Sequence, residues 1–473
     1  MKIPKILLFL FTAVLLATPS YAADRPNIVV ILTDDQGYAD ISFNSDSPKE
    51  VSTPHMDSLA REGVFFKQAY TSGVVCSPTR AGIMLGQYQQ RVGIYTAGEG
   101  GNGFDPKLPI FPSFLPDEYT SMAIGKWHLG LDEDYPELKW HAVNRGFDEA
   151  FKFMGRGAHD YFDLKGIKGD YSAIYRNKRR LEEDEYEGYL TNRLSEEAVA
   201  FIDREKDNPF FLYLAYNAVH TPAQAPQKDI DFYKNKFPYL SDTRATLMAM
   251  LQHLDDGVGS VVNKLKQENI WNNTLLIFLT DNGGAGAMEA NNGILRGFKQ
   301  MVYEGGIRTP WIVSWPNKFK GGRTIDTPVI SFDILPTVFD ALDLKAPKKN
   351  PFDGKSLLPL IHGKTTKHHD VLHWDIGGPE GTWGVRQGEW KAWGEKNVVE
   401  LYNLKDDPSE KNNIASKHPA KAKELTQLHA EWKLEMLKSP NGGKLPKTAA
   451  PADEDKPKLT KEERAKRKAD RSQ

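Results

Sequence analysis

The sequence predicts an α/β fold: a large, mainly parallel sheet sandwiched by helices, then a small C-terminal antiparallel sheet with a helix. Three observations predict it. The runs Pro26 to Thr33 and Thr274 to Thr280 are continuously apolar and rich in β-branched residues, the pattern of central strands covered on both faces. Between them, Leu194 to Glu205 and Thr243 to Lys266 carry apolar residues at helical spacing, so strands alternate with helices. After about residue 365 the texture changes to short, glycine-separated, tryptophan-rich segments of the antiparallel kind.

Taken in order, the chain opens with Lys2 and Lys5 before the apolar run Ile6 to Ala17, and Ser20-Tyr21-Ala22 supplies small residues around a cut after Ala22. Residues 1–22 therefore read as a secretory signal, too short for a comfortable bilayer span. The expected product is soluble, without a membrane anchor after cleavage, and periplasmic or secreted. Residues 23–365 form the main domain. A third buried strand is expected at Phe210 to Tyr216. Val371 to Trp374, Thr382 to Arg386 and Glu389 to Trp393 read as strands of a C-terminal subdomain over residues 366–438, closed by a helix from Ala420 to Leu437. From Ser439 to Gln473, Pro, Lys, Glu and Asp dominate, which predicts a disordered tail. Net charge is −2 across 473 residues, so no global field favours nucleic acid, and attraction for an anionic ligand must be local.

The two strand ends carry chemistry. The first run ends in Asp34-Asp35-Gln36-Gly37 and the later one in Asp281-Asn282-Gly283-Gly284. Acidic groups beyond the carboxyl ends of parallel strands sit where open α/β sheets build their sites. Each aspartate alone reads as a turn residue; two matching pairs read as hard oxygen ligands for Ca²⁺ or Mg²⁺.

Cys76 is the only cysteine, so no internal disulfide can form in this exported chain. It precedes Ser77-Pro78-Thr79-Arg80, in which Ser77 is a good N-cap and Pro78 a good first helical residue. A helix is expected from Pro78 towards Gly86, with Cys76 just outside its N-terminus and Arg80 one turn on, pointing back. That environment favours an oxyanion or a thiolate.

The run Cys-x-Pro-x-Arg, continued by Ala81-Gly82-Ile83-Met84-Leu85-Gly86, resembles the maturation signature of the type I sulfatases, of alkaline phosphatase-like fold. Asp34-Asp35-Gln36-Gly37, Gly125-Lys126-Trp127-His128-Leu129-Gly130, His220-Thr221-Pro222, Asp281-Asn282-Gly283, and Lys299 with Glu304-Gly305-Gly306 resemble further motifs of that family, in its order. Val385 to Lys391 and Glu400 to Leu404 resemble its C-terminal subdomain. The resemblance implies that a maturation enzyme oxidises Cys76 to formylglycine. It selects one Ca²⁺, held by Asp34, Asp35, Asp281, Asn282 and residue 76. It assigns Lys126, His128, His220 and Lys299 to the sulfate pocket beside Arg80.

The implied reaction is hydrolysis of a sulfate ester. A hydrated aldehyde has one hydroxyl to attack sulfur and a second to expel sulfate, which serine and cysteine lack. His220 or Lys299 would protonate the leaving alcohol and His128 would act as base. Sulfated polysaccharide or glycosaminoglycan fragments are the expected substrates. Gly155 to Phe162 offers a guanidinium, a histidine and aromatics for an anionic sugar. Trp374, Trp383, Trp390 and Trp393 either face sugar rings or pack the small sheet onto the main domain. A phosphoester or phosphonate monoester hydrolase with the same aldehyde is the enzymatic rival, and an inactive carbohydrate-binding relative the other.

Overall fold

The computed structural model describes residues 25–131, 137–153, 158–163, 173–377 and 381–439. The expected signal segment, most of the tail and Gly155 to Gly157 lie outside them. No helix among the described residues is long and apolar enough to cross a membrane.

In chain order the strands are β1 (Asn27–Thr33), β2 (Val64–Phe66), β3 (Ala69–Tyr70), β4 (Thr120–Lys126), β5 (Glu149–Phe153), β6 (Ile174–Arg176), β7 (Arg179–Arg180), β8 (Phe210–Ala215) and β9 (Thr274–Thr280). They continue as β10 (Arg308–Thr309), β11 (Trp311–Ser314), β12 (Arg323–Ile325), β13 (Val329–Ile330), β14 (Val371–Asp375), β15 (Trp383–Gln387), β16 (Trp390–Glu395) and β17 (Val398–Asn403). The α-helices are α1 (Pro54–Glu62), α2 (Cys76–Leu85), α3 (Ala97–Gly101), α4 (Leu190–Glu205), α5 (Gln227–Lys236), α6 (Asp242–Gln267), α7 (Glu304–Ile307), α8 (Ile334–Ala341), α9 (Leu358–Ile361) and α10 (Pro419–Leu437).

The main sheet has the order β12-β2-β11-β9-β1-β8-β4-β5-β6-β7. Its centre, β9-β1-β8-β4-β5, is parallel throughout, and the sheet turns antiparallel at β11 on one side and at β6 on the other. The apolar run of β1 explains its central place. Val29 and Ile31 enter one core with α1, α4 and α6, while Ile28, Val30 and Leu32 enter the opposite core with α2, α8 and α9. Each such fully buried aliphatic side chain stabilises the fold by about 1.5–3 kcal/mol. β4 escaped the sequence reading because Thr-Ser-Met-Ala-Ile-Gly-Lys lacks a β-branched run, although six of its seven residues are buried.

The C-terminal sheet runs β14-β15-β16-β17, antiparallel at every step. Two of its tryptophans pack it onto the main body, while Trp383 stacks on His429 of α10 and Trp390 meets His418. Trp374 is 1% exposed and donates to Thr71 O at 2.7 Å, and Trp393 stacks on Tyr303 at 5.0 Å between centroids.

A buried carboxylate ties the approach to this sheet. Asp333 accepts the backbone N–H groups of Ile330 and Lys355, and its two oxygens lie 3.0 and 2.7 Å from Nε2 of His368 and His369. Burial by itself would raise its pKa, but the charge of His369 and the hydrogen bonds from both imidazoles outweigh that and hold it below the ordinary 3.8. Asp333→Asn is expected to cost about 3 kcal/mol at neutral pH, read from denaturant unfolding. Because the folded value lies below the unfolded one, the carboxylate's contribution is complete above about pH 4 and disappears as pH falls through the folded value. The gap between variant and wild type should therefore close in acid.

Candidate active site

Strand register brings the site together. Thr33 pairs with Thr280 at the ends of β1 and β9, and Asp281 N donates to Thr33 O at 3.0 Å, so Asp34 and Asp281 emerge side by side. Leu32 pairs with Ala215 of β8, and Gly125 of β4 pairs with the same residue, which brings His220 and Lys126 to this edge. Lys126 is the last residue of β4, and Trp127 to Gly130 lie beyond the strand.

The aspartates are fully buried, and cations lie among them. Arg80 donates through Nε and Nη2 to Asp281 Oδ2 at 3.0 and 2.7 Å, and Nη2 lies 3.5 Å from Asp34 Oδ2. Lys126 Nζ bonds Asp34 Oδ2, and Lys299 Nζ bonds Asp35 Oδ2 at 3.0 Å. Asn282 Nδ2 donates to Asp35 Oδ1 at 2.8 Å. Each carboxylate therefore already meets a cationic side chain. Yet Asp34 Oδ1, Asp281 Oδ1 and Asn282 Oδ1 are buried with no hydrogen-bond partner among the described residues. Buried oxygens left this way are costly. Burial, and then the charge of Asp34, push the Asp281 carboxyl up to about 7. An all-oxygen set with unpartnered acceptors fits a hard divalent cation. Ligand atoms of Asp34, Cys76 and Asp281 lie within 4.8 Å of one another.

Helix α2 begins at Cys76 itself, with Val75 as its N-cap, two residues earlier than the sequence predicts. Ser77 does not cap it: its Oγ donates to His128 O at 2.5 Å. The helix does end at Gly86, whose φ of 65° is the left-handed conformation that glycine adopts without strain. Cys76 Sγ lies 3.3 Å from His128 Nδ1. The expectation of a stabilised thiolate is corrected. Burial raises the Cys76 thiol to about 11, and the pull of Lys126 and Lys299 is opposed by Asp34 and Asp281. Arg80 does not relieve this, because its guanidinium is bound to Asp281 and, through Nη1, to Lys126 O at 2.6 Å. As a plain thiol, residue 76 is a poor nucleophile here.

Both histidines are held below the ordinary imidazole value. Burial, then Lys126 and Arg80, hold His128 well below the ordinary 6.5; burial, then Lys299 and Lys126, lower His220. His220 Nδ1 lies 2.8 Å from Thr221 O, which fixes the proton on Nδ1 and leaves Nε2 with its lone pair. That Nε2 is 3.6 Å from Asp35 Oδ2. Asp35, His128 and Gln300 all have positive φ, at 61°, 54° and 76°. Strained backbone of this kind is concentrated at functional sites.

All ten residues singled out from the sequence for catalysis or metal binding thus lie along one sheet edge. Sequence reasoning missed the tether from Ser77 to His128. Tyr161, expected among the aromatics offered to an anionic sugar, is instead fully buried, its hydroxyl 2.9 Å from the carbonyl oxygens of Asn217 and His220. A tyrosine in a glycine-rich loop carries no signal of the carbonyl it will meet.

Residues 26–344 match the Sulfatase family, and residues 297–438 match the family described as N-sulphoglucosamine sulphohydrolase, C-terminal. The chain is 31% identical to the uncharacterized sulfatase YdeN of Escherichia coli (strain K12) over 402 residues, covering 74% of this chain and 68% of that protein. It is 30% identical to N-acetylgalactosamine-6-sulfatase of Mus musculus over 368 residues, covering 72% and 67%. The crystal structure of Ps i-CgsB in complex with k-i-k-neocarrahexaose is similar with a TM-score of 0.79 at 32% identity, over 88% of this chain and 94% of that one. With the motifs in order on one sheet edge, and a family match across most of the described residues, the chain belongs to the sulfatase family of sulfate ester hydrolases.

Proposed function

We propose that this enzyme removes sulfate from a sulfated carbohydrate outside the cytoplasm, using formylglycine at position 76 and one Ca²⁺. The observation that carries the reading is the trio of unpartnered buried oxygens on Asp34, Asp281 and Asn282 beside residue 76. Asp34, Asp35, Asp281, Asn282 and the oxidised side chain at 76 would hold the ion. When bound, the ion neutralises the carboxylates and lowers the cost of a negative oxygen on residue 76. The hydrated aldehyde supplies one hydroxyl to bond to sulfur and another to release sulfate. A maturation enzyme must install it, because conversion of the thiol to an aldehyde is an oxidation that needs a separate oxidant.

The chain's own residues supply the rest. His128, neutral and 3.3 Å from the residue-76 side chain, is placed to take a hydroxyl proton through Nδ1. Lys126 and Lys299 present two ammonium groups to the sulfate oxygens. Lys299 is the better donor to the leaving alcohol, since it already carries a proton that His220 Nε2 lacks. His220 orients substrate from beside Lys299, its Nε2 3.6 Å from the Asp35 Oδ2 that Lys299 also binds. The carbohydrate is supported by the oligosaccharide complex above. Export is supported by the N-terminal signal pattern.

Mass spectrometry of the peptide around residue 76, from a host able to modify it, should show the aldehyde; unmodified thiol with full activity would refute the mechanism. Aryl sulfate should be turned over faster than aryl phosphate, and the reverse order would favour the phosphoester reading. Lys299→Ala should slow an alkyl sulfate by about 10²–10⁴-fold, and a nitrophenyl sulfate, whose leaving group needs no proton, far less. Equal losses on both would remove the proton-donor assignment.

A further inference from the structure

One buried lysine links the C-terminal sheet to the catalytic edge. Lys391, on β16, is 0% exposed, and its Nζ lies 2.9 Å from Glu304 Oε1 and 2.9 Å from Glu410 Oε1. Glu304, also fully buried, opens α7; it accepts the Tyr70 hydroxyl at 2.7 Å, and its backbone N–H donates to Glu410 Oε2 at 2.7 Å. A lysine without solvent is costly unless paired as completely as this. No step of the hydrolysis uses the trio.

What the trio holds is the arm from Arg296 to Ile307, which carries Lys299. The arm is bound at its start to the C-terminal subdomain, where Arg296 Nη1 donates to Tyr402 Oη at 2.8 Å and to Glu410 O at 3.0 Å. At its middle it is bound to the site. Lys299 N donates to Gly284 O at 3.1 Å, and Gln300 N donates to Val74 O at 2.8 Å, two residues before Cys76. At its end, Gly305 N donates to Arg296 O at 2.7 Å, and Gly283 N donates to Gly306 O at 3.0 Å. Gly283 follows Asn282 directly, and a Cβ there would come within 1.9 Å of Gly305 O. The backbone of α7 thus lies directly behind a proposed metal ligand.

We infer that Lys391 is a positioning residue: through Glu304 it sets the arm that presents Lys299 and backs Asn282. The C-terminal sheet is then part of the catalytic apparatus. Without the lysine, Glu304 still meets Arg308 at 3.6 Å and the Tyr70 hydroxyl, but the cation that joins Glu304 and Glu410 to β16 is lost, and the root of the arm is no longer fixed to the C-terminal sheet. Misplacement of about 1 Å can lower turnover by about 10²-fold. The inference rests on the proposed roles of Lys299 and Asn282.

The test compares full-length Lys391→Met and Glu304→Gln with a control, Leu425→Ala, which removes a buried apolar contact in the C-terminal core. Three quantities are read per folded molecule: amide hydrogen exchange over residues 283–306, affinity for added Ca²⁺, and kcat and KM on an aryl sulfate. Both test variants should exchange about tenfold faster in that segment, bind Ca²⁺ about 10–100-fold more weakly and lose kcat by a similar factor with KM little changed. The control should keep all three. If exchange in 283–306 or kcat stays at the wild-type or control value, with only the thermal midpoint moved, the inference is overturned. Should Lys391→Met not fold, Glu304→Gln, which keeps the side-chain shape, carries the same two outcomes. Failure of the site reading would show separately, as wild-type protein that binds no Ca²⁺; the exchange measurement then still decides for or against the link.

Discussion

Cys76→Ala is expected to lower kcat by about 10⁴-fold or more while leaving the protein folded. The side chain is small and buried, so truncation costs about 1–2 kcal/mol, well within the stability of a domain of this size. What disappears is the only atom of α2 that approaches both His128 and the aspartate cluster. Cys76→Ser sharpens the result. A serine hydroxyl can accept the sulfuryl group but has no second hydroxyl to expel it, so one equivalent of alcohol should be released before turnover stops. A rapid-mix assay with an aryl sulfate, and the intact mass of the stalled protein, read both halves. Steady turnover by either variant at a tenth of the wild-type rate would show that residue 76 is not the group that bonds to sulfur.

Removal of the divalent ion should have the next largest effect. Chelation is expected to abolish turnover, and added Ca²⁺ to restore it. Calcium at 100 times its dissociation constant should raise folding stability by about 2.7 kcal/mol. Asp281→Asn provides the sharper contrast. It keeps an oxygen for Arg80 but removes one of the negative charges that burial and Asp34 disfavour at this position. In chelator the variant should therefore be at least as stable as the wild type. In calcium the order should reverse, and kcat should fall by about 10³-fold. Activity indifferent to both chelator and Asp281→Asn would remove the cation from the mechanism.

The order of these effects follows from what is buried. Residues 34, 35, 80, 126, 281 and 282 are almost completely inaccessible, so each charge there depends on a named partner rather than on water. Loss of one partner is not screened.

Some of this was legible in the chain. Continuous apolar runs place β1, β8 and β9 at the sheet centre, because only strands covered on both faces tolerate such runs. The Thr-Asp endings locate the aspartate cluster, and Gly86 ends the helix as expected, although that helix begins at Cys76 rather than at Pro78. β4 and β17 were not legible, since their sequences lack the apolar run or alternation that marks a strand, and tertiary packing alone makes them strands. The protonation of Cys76 was also hidden. A helix start favours a thiolate, but burial beside two carboxylates outweighs it, and burial is a property of the assembled core.

The sequence by itself determined which residues gather at the site and the sheet edge on which the aspartates emerge, because continuous apolar runs dictate the central strands and the acidic residues that end them. Only the tertiary structure decided how charge is shared among them: which lysine meets which aspartate, which oxygens stay unpartnered, and that Lys391, 92 residues beyond Lys299, braces the arm on which Lys299 sits. Those outcomes depend on distances between segments far apart in the chain, and no local pattern encodes a distance.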